Sequence, residues 1–270
     1  MMVSTRRPRV LYADIDGTLV GAGGSLFATA EGMPTAAAAE ALAALHRAGV
    51  ALVLVSGRTR GRLAEVARLL GAAGYAAELG ALLVDGPDPD APVIRCFGAY
   101  RGRVPPAEAM ARSGAGALLL ERFRGRLELH EPWSREPREA TLLLRGLVDP
   151  AEATGALEAA GLQWLELLDN GRLRRRSSHL DLPEVRAYHL VPRGVRKAAA
   201  VRLHLERHGW SPEEAWAVGD APADLELAGI VGTFALLGEA APDHPPNALL
   251  LGRAGPEGFA EAVAALLDRA

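Results

Sequence analysis

The stretch RVLYADIDGT, residues 9–18, runs from an apolar segment directly into two carboxylates. Residues 9–13 are typical of a short, mostly buried β-strand. Asp14 and Asp16 stand where this strand ends, and Gly17 then lets the backbone turn sharply. Ligand sites in open α/β sheets form beyond the carboxyl ends of the strands. Because two crowded acids usually share a cation or divide acid and base roles, the stretch predicts a catalytic site rather than a solvated acidic turn.

Strand and helix patterns alternate along the chain outside this stretch, as a doubly wound parallel sheet requires. Residues 50–55 form a continuous apolar run, which is typical of a strand buried on both faces, and Ser56 follows it. Residues 215–218 form another such strand, which runs into Gly219 and Asp220. We therefore predict an α/β fold whose core is a doubly wound, Rossmann-like parallel sheet.

The pattern changes in the middle of the chain, over residues 88–192. Residues 118–130 are predicted as a β-hairpin, and residues 163–177 as a second hairpin about Asp169-Asn170-Gly171, with a helix that begins at Asp149 between them. Clustered hairpins with an interposed helix indicate an α+β module with an antiparallel sheet. We expect this module to be inserted between the two halves of the parallel domain, residues 1–87 and 193–270.

Acidic and basic candidates from four separate segments converge on one edge if the sheet is parallel. One of them is Lys197, the only lysine in a chain whose other basic residues are arginine. A single lysine marks a position where a compact ammonium is needed rather than a planar guanidinium. The converging residues are Asp14, Asp16, Ser56, Lys197, Asp220 and Asp224.

In order and in type, these segments match the four motifs of the haloacid dehalogenase (HAD) superfamily, whose members are mostly phosphatases. The D-x-D-G-T segment, the serine after a buried strand, the lysine and the G-D-x-x-x-D segment all have counterparts here. The chain resembles the Cof-like branch, which includes sugar-phosphate and mannosyl-3-phosphoglycerate phosphatases, and residues 88–192 resemble its inserted α/β cap. One position departs from the pattern, since Ala223 stands where such relatives often carry Asn.

The resemblance implies a division of labour between the first two acids. Asp14 would be the nucleophile, which forms an aspartyl-phosphate and splits one difficult displacement into two steps. Asp16 would protonate the leaving alcohol and later deprotonate the attacking water. A phosphate monoester repels an anionic nucleophile, so cations and hydrogen-bond donors must neutralise the phosphoryl oxygens.

The resemblance also implies a Mg²⁺ cofactor and a phosphate-binding set. The expected metal ligands are the Asp14 carboxylate, the Asp16 backbone carbonyl and Asp220, while Asp224 would hydrogen-bond to these ligands or bind the ion through water. Ser56 and Lys197 would hold the transferring phosphoryl group, assisted by backbone amides that include that of Gly17. Gly57 and Arg58 are candidate substrate contacts.

Composition limits the partners that we expect. The chain has 270 residues, 49% of them apolar, and its formal charge of −3 gives no basic surface for nucleic acid. Cys96 is the only cysteine, so no internal disulfide can form, and the longest apolar runs are far too short to cross a membrane. We expect a cytoplasmic location, and the resemblance implies a small phosphorylated molecule as partner, while the oligomeric state is not predicted.

The resemblance implies magnesium-dependent hydrolysis of small phosphorylated metabolites such as sugar or polyol phosphates. Two other classes stay open at this point. A sugar phosphomutase or phosphotransferase uses the same aspartyl-phosphate and passes the group to a second hydroxyl. A phosphorelay receiver also combines acids, a Ser/Thr and a Lys around magnesium, but it needs only one small domain.

Overall fold

The computed structural model describes residues 7–86, 88, 91–173, 179–238 and 244–269. The chain divides into two compact units, one formed by Met1–Ile94 with Lys197–Ala270 and the other by Arg95–Arg196. Among the described residues, no helix is long and apolar enough to cross a membrane.

Within the described ranges, the strands in chain order are β1 (Val10–Ala13), β2 (Ala51–Val55), β3 (Gly74–Ala77), β4 (Leu82–Asp85), β5 (Val93–Arg95), β6 (Leu127–Leu129), β7 (Leu142–Gly146), β8 (Leu165–Arg172), β9 (Arg186–Pro192), β10 (Ala215–Gly219), β11 (Thr233–Leu237) and β12 (Ala248–Leu251). The α-helices in the same ranges are α1 (Ala37–Arg47), α2 (Arg60–Leu70), α3 (Pro106–Ser113), α4 (Ala115–Arg122), α5 (Pro150–Ala159), α6 (Lys197–His208), α7 (Pro222–Leu225) and α8 (Gly255–Leu267).

The first unit is built on an eight-stranded sheet with the order β12-β11-β10-β1-β2-β3-β4-β5. The pairs from β12 to β3 are parallel, and β4 turns back antiparallel to β3. The central strand β1 is buried along its whole length, since Val10, Leu11, Tyr12 and Ala13 are each 0% exposed. A strand covered on both faces needs a continuous apolar run, and residues 10–13 supply one. The predicted Rossmann-like parallel core is confirmed.

The second unit contains a four-stranded antiparallel sheet with the order β6-β7-β9-β8. Its core includes Leu119, Phe123, Leu144 and Tyr188, all fully buried. The predicted helix start at Asp149 is also confirmed, because the Asp149 carboxylate accepts a hydrogen bond from the Ala151 amide at 2.8 Å. The antiparallel α+β module that the sequence predicts is therefore present.

The first predicted hairpin, over residues 118–130, is wrong. Residues 115–122 form helix α4, and only Leu127–Leu129 become a strand. Ala115, Leu119 and Phe123 recur every four residues and are each 0% exposed, which is the stripe of a helix packed on one face. A short apolar run such as Leu118-Leu119-Leu120 cannot be assigned from local periodicity alone.

The second predicted hairpin, about Asp169-Asn170-Gly171, is also wrong in the described residues. Strand β8 continues through these positions as Leu165–Arg172, and its pairing with β9 shifts register between Asp169 and Arg172. The Asp169 carboxylate accepts from the Gly171 amide at 2.8 Å, so the Asp-Asn-Gly signal marks a β-bulge rather than a turn. Most of the predicted second arm, residues 174–177, lies outside the described residues.

Candidate active site

The register of three adjacent strands brings the predicted acids to one edge of the sheet. Ala13 of β1 pairs with Val218 of β10 and with Leu54 of β2, all in parallel. The carboxyl ends of these three strands therefore lie at the same edge of the sheet. The residues that follow these ends include Asp14, Ser56 and Asp220. The backbone amide of Asp14 donates to the Val218 carbonyl oxygen at 3.0 Å, which fixes the start of the loop that carries the first two acids.

Lys197 lies between two buried carboxylates. Its Nζ donates to Asp14 Oδ1 and to Asp224 Oδ1, each at 2.7 Å. All three residues are almost fully covered, with exposures of 2% for Lys197, 5% for Asp14 and 0% for Asp224. Lys197 is the first residue of α6, so the helix begins at the point where its ammonium meets the strand ends. The single lysine of the chain is thus a fixed, buried cation in contact with the predicted nucleophile.

Both carboxylate oxygens of Asp224 accept hydrogen bonds from other groups of the protein. Its Oδ1 accepts from Lys197, and its Oδ2 accepts from the Ala221 amide at 3.1 Å. Gly219 makes this arrangement possible, because a Cβ added there would lie 2.5 Å from Asp224 Cβ. The structure therefore places Asp224 as the residue that orients Lys197.

Asp220 approaches the first loop at a glycine. Gly17 has a φ of +92°, and a Cβ added there would lie 2.1 Å from Asp220 Oδ2. Thr18 Oγ1 donates to Asp220 Oδ1 at 3.3 Å, which ties the first acidic segment to the last. The Gly17 amide, predicted to bind phosphate, donates to the Val20 carbonyl oxygen at 3.2 Å in this structure. A Cβ at position 17 would displace the Asp220 carboxylate, so glycine allows this carboxylate to approach the first loop.

Asp16 lies at the surface of the site and pairs with Arg58. Both Asp16 oxygens accept from the guanidinium, Oδ2 from Nε at 2.9 Å and Oδ1 from Nη2 at 2.6 Å. The Asp16 side chain is 60% exposed and that of Arg58 22% exposed. Arg58, which follows Gly57 and was predicted as a substrate contact, therefore holds the predicted acid/base residue on the solvent side of the loop.

Ser56 is buried beneath a strained turn that the sequence does not reveal. Its Oγ accepts from the Arg58 amide at 3.2 Å, and its backbone carbonyl accepts from the Leu79 amide at 3.0 Å. Glu78, whose amide donates to the Arg58 carbonyl oxygen at 3.0 Å, and Leu79 have positive φ values of 50° and 58°. Non-glycine residues seldom adopt this left-handed conformation, and strain of this kind concentrates at functional sites.

The buried charges perturb one another. Burial raises the pKa of Asp14 well above its ordinary value, and the neighbouring charges of Asp224, Asp220 and Asp16 add to this effect, while Lys197 opposes it. Burial alone would lower the pKa of Lys197, but the carboxylates of Asp14 and Asp224 outweigh it and raise that pKa. Several acids thus surround one ammonium, and a further cation would relieve their repulsion.

The donor set fits a hard divalent cation. Asp14, Asp220 and Asp224 each offer a carboxylate oxygen, and the three oxygens lie within 4.8 Å of one another. Oxygen-only ligands suit Mg²⁺, which needs only one or two carboxylates because it keeps several waters. Asp14 and Asp220 fit this role best, since both oxygens of Asp224 are already bound to protein donors.

Two features of the site are not predicted from the sequence. Thr18 was not singled out, although it belongs to the D-x-D-G-T segment and its spacing after Asp16 could have indicated a role. The Glu78–Leu79 turn gave no signal, because neither residue type favours a left-handed backbone. Among the predicted residues, the structure brings Asp14 together with Lys197, Asp220 and Asp224. Arg58 contacts both Asp16, through its guanidinium, and Ser56, through its backbone amide.

Comparison with known proteins identifies the fold. No protein-family model and no curated protein sequence matches the chain. Solved structures do match over nearly its whole length. Sucrose-phosphatase from Synechocystis, solved with sucrose and phosphate, has a TM-score of 0.66 at 16% identity, covering 97% of this chain and 98% of that one.

Two further structures come from Bacteroides thetaiotaomicron. A phosphatase of the haloalkanoate (HAD) superfamily has a TM-score of 0.64 at 17% identity and covers 98% of this chain and 97% of its own. A haloacid dehalogenase-like hydrolase has a TM-score of 0.63 at 16% identity and covers 96% of this chain and 100% of its own. The predicted resemblance to the HAD superfamily is therefore confirmed at the level of the fold.

Proposed function

We propose that this protein is a magnesium-dependent phosphatase of small phosphorylated metabolites, with an aspartyl-phosphate formed on Asp14. The observation that carries the proposal is the buried Lys197 ammonium, fixed 2.7 Å from Asp14 Oδ1 where the strand ends meet. A carboxylate can attack an anionic phosphoryl group only where preorganised positive charge offsets the repulsion. The structural neighbours support the reaction class, since two of the three described above are phosphatases.

In the first half-reaction, an Asp14 carboxylate oxygen bonds to phosphorus and the ester P–O bond breaks. Asp16 supplies the proton that the leaving alcohol oxygen takes up. In the second half-reaction, Asp16 accepts a proton from water, whose oxygen bonds to phosphorus and releases Asp14 and inorganic phosphate. The pair with Arg58 must open or shift for Asp16 to do this, because both of its oxygens accept from the guanidinium.

Asp14 and Asp220 are the residues that would hold Mg²⁺, with Asp224 keeping Lys197 in place. A bound Mg²⁺ would neutralise the charge on the phosphoryl oxygens. Lys197 adds a second, permanent positive charge that its two carboxylate partners keep ionised. Ser56, buried at the end of β2, is proposed as the hydroxyl donor to the phosphoryl group.

The second unit, residues 95–196, favours a phosphatase over a phosphorelay receiver. A phosphorelay receiver needs only one small domain, whereas residues 95–196 form a separate compact unit with its own antiparallel sheet. We propose that this unit acts as a cap that selects the organic part of the substrate. Sugar or polyol phosphates are the proposed substrate class, by analogy with the sucrose-phosphatase neighbour.

The test is release of phosphate by the purified full chain from an aryl phosphate and a panel of sugar and polyol phosphates. We expect turnover that EDTA abolishes and added Mg²⁺ restores. Asp14→Asn protein, prepared in the same way, is the matched control for a contaminating phosphatase. Absence of turnover on every phosphoester with Mg²⁺ present would refute the proposal, as would equal turnover by the Asp14→Asn control.

A further inference from the structure

A second cluster of metal-binding side chains lies in the first unit, outside the set of acids described above. Asp85 is the last residue of β4, and His204 and His208 lie one turn apart near the end of α6. Asp85 Oδ1 accepts a hydrogen bond from His208 Nε2 at 2.9 Å and lies 3.5 Å from His204 Nε2. The three ligand atoms lie within 4.8 Å of one another. Two histidines at i and i+4 present their rings on the same face of a helix.

His204 Nε2 faces Asp85 Oδ1 at 3.5 Å without a hydrogen bond to it. The residue is 1% exposed, and its Nε2 makes no hydrogen bond. Its Nδ1 lies 2.9 Å from the Tyr12 hydroxyl. In the tautomer whose Nδ1–H donates to the Tyr12 oxygen, the Nε2 lone pair faces Asp85. Metal-bound histidines are held in this way, with the second ring nitrogen donating to a fixed partner.

We propose that Asp85, His204 and His208 form a second metal site, for a divalent transition-metal ion of the Zn²⁺ class. Two imidazoles and one carboxylate favour Zn²⁺, Co²⁺ or Ni²⁺ over Mg²⁺ and Ca²⁺, which prefer oxygen ligands. Tetrahedral bonds of about 2.0–2.1 Å place neighbouring ligand atoms about 3.3–3.4 Å apart. The observed separations of 2.9 and 3.5 Å lie on either side of this value.

The surroundings allow an ion to reach the site and to be held there. The His208 side chain is 34% exposed, which leaves a path from solvent. Burial lowers the pKa of His204 to about 4, so this ring is neutral and able to bind metal near pH 7. Arg207 Nε lies 3.3 Å from the other oxygen of Asp85. This contact orients the carboxylate, and its positive charge reduces the affinity for a cation.

The site is separate from the proposed catalytic centre. Lys197 and His204 are seven residues apart on α6, which corresponds to about 10 Å along the helix axis. The proposal does not depend on the proposed phosphatase activity, because none of its three ligands contributes to that chemistry. A metal ion bound here would link the C-terminal part of α6 to the end of β4, whereas Lys197 lies at the N-terminal end of α6.

The test is Zn²⁺ and Co²⁺ binding by full-length protein freed of metal with EDTA. Two samples limit Zn²⁺ binding at the proposed catalytic acids. In the Asp220→Asn variant one of these acids is removed, and in native protein with excess Mg²⁺ the acids are occupied by Mg²⁺. Calorimetry with Zn²⁺ should give one site in both samples. Co²⁺ should quench tryptophan fluorescence, because the Trp210 ring stacks on His208 with centroids 4.3 Å apart. Zn²⁺ at a hundredfold excess over Kd should raise Tm by about 5 °C.

His208→Ala in the Asp220→Asn background is the deciding variant, because His208 lies at the surface and its loss spares the core. Loss of a ligand should weaken Zn²⁺ binding by at least about 10–100-fold, because loss of a residue that only hydrogen-bonds to a ligand already costs that much. His46→Ala, an exposed histidine on α1, is the matched control and should bind as its parent does. Unchanged binding in both His208→Ala and Asp85→Asn would overturn the proposal, as would equal losses in His208→Ala and His46→Ala, or no Zn²⁺ binding by the parent.

Discussion

Lys197 Nζ and Asp14 Oδ1 lie 2.7 Å apart, in a contact from which water is almost wholly excluded. The same ammonium holds Asp224, so one positive charge serves two buried carboxylates. Removing one partner of a buried ion pair leaves the other charge without compensation, which costs far more than the pair contributes. Loss of Lys197 is therefore expected to lower both the free energy of unfolding and the rate of turnover.

Lys197→Ala should lower phosphate release by about 10²–10³-fold, the usual cost of losing one preorganised donor. It should also lower the free energy of unfolding by about 3–5 kcal/mol, because Asp14 and Asp224 then lie buried without their cation. Urea unfolding in EDTA measures the second effect. Arg58→Ala is the control for stability, since its pair with Asp16 is partly exposed and should contribute no more than about 1 kcal/mol.

Lys197→Arg separates charge from shape. A guanidinium is wider and planar, so it should rescue turnover poorly in a space fitted to an ammonium. Turnover near that of the native protein in Lys197→Arg would show that only the charge is needed. The same result in Lys197→Ala would remove Lys197 from the mechanism.

Substitution of the two acids of the first loop, Asp14 and Asp16, should reduce turnover in different ways. Asp14→Asn removes the proposed nucleophile and should abolish turnover on every substrate. Asp16→Asn removes proton transfer, so its loss should be smaller on aryl phosphates, whose leaving group needs little protonation, than on sugar phosphates. Steady-state rates on both substrate types measure the difference. Equal residual activity in the two variants on all substrates would contradict the division of roles.

Gly17→Ala tests the close approach of Asp220. The new Cβ would lie 2.1 Å from Asp220 Oδ2, so the carboxylate must move and turnover should fall by about 10²-fold or more. Gly23→Ala is a matched control, because Gly23 also has a positive φ, +70°, but has no atom within 4 Å of such a Cβ. Both variants carry backbone strain, and only Gly17→Ala should raise the Mg²⁺ concentration needed for activity. Equal Mg²⁺ requirements would show that Asp220 does not bind the cation.

His204 should make stability depend on pH. Its folded pKa is lowered to about 4 by burial, below the value of about 6.5 expected in the unfolded chain. Between these values the unfolded chain binds more protons, so stability falls as pH falls from about 6.5 to about 4. From pH 7 to pH 5 the contribution of His204 should be a loss of roughly 2 kcal/mol. Urea unfolding of native and His204→Gln protein in EDTA should show a shallower pH dependence in the variant, and equal slopes would count against this assignment.

Much of the site could be predicted because its residues follow strands that are unmistakable in the sequence. Residues 10–13 and 51–55 are apolar without interruption, and in parallel strands the residues after such runs share an edge. The burial of Lys197 could not be predicted, since a lysine at a helix start is ordinarily solvated. Its partner Asp224 was expected near the metal, and only the three-dimensional contacts indicate that it orients the lysine.

The remaining errors have local causes. Leu118-Leu119-Leu120 fits a strand or a helix equally well, and packing of α4 through Leu119 decides in favour of the helix. Asp169-Asn170-Gly171 is a turn signal that the fold uses as a bulge. His204 and His208 were overlooked although their spacing places them on one helix face, because Asp85 joins them only in the folded chain.

The most direct test of the account is to identify the phosphorylated residue. Asp16→Asn protein mixed with substrate and Mg²⁺ is quenched in acid, reduced with borohydride and analysed by peptide mass spectrometry. Borohydride converts an aspartyl-phosphate into homoserine, so we expect homoserine at position 14 and unmodified aspartate at positions 220 and 224. Homoserine at another position would contradict the proposed aspartyl-phosphate on Asp14. So would an unmodified Asp14 in both this variant and the native protein, provided that the native protein turns the substrate over.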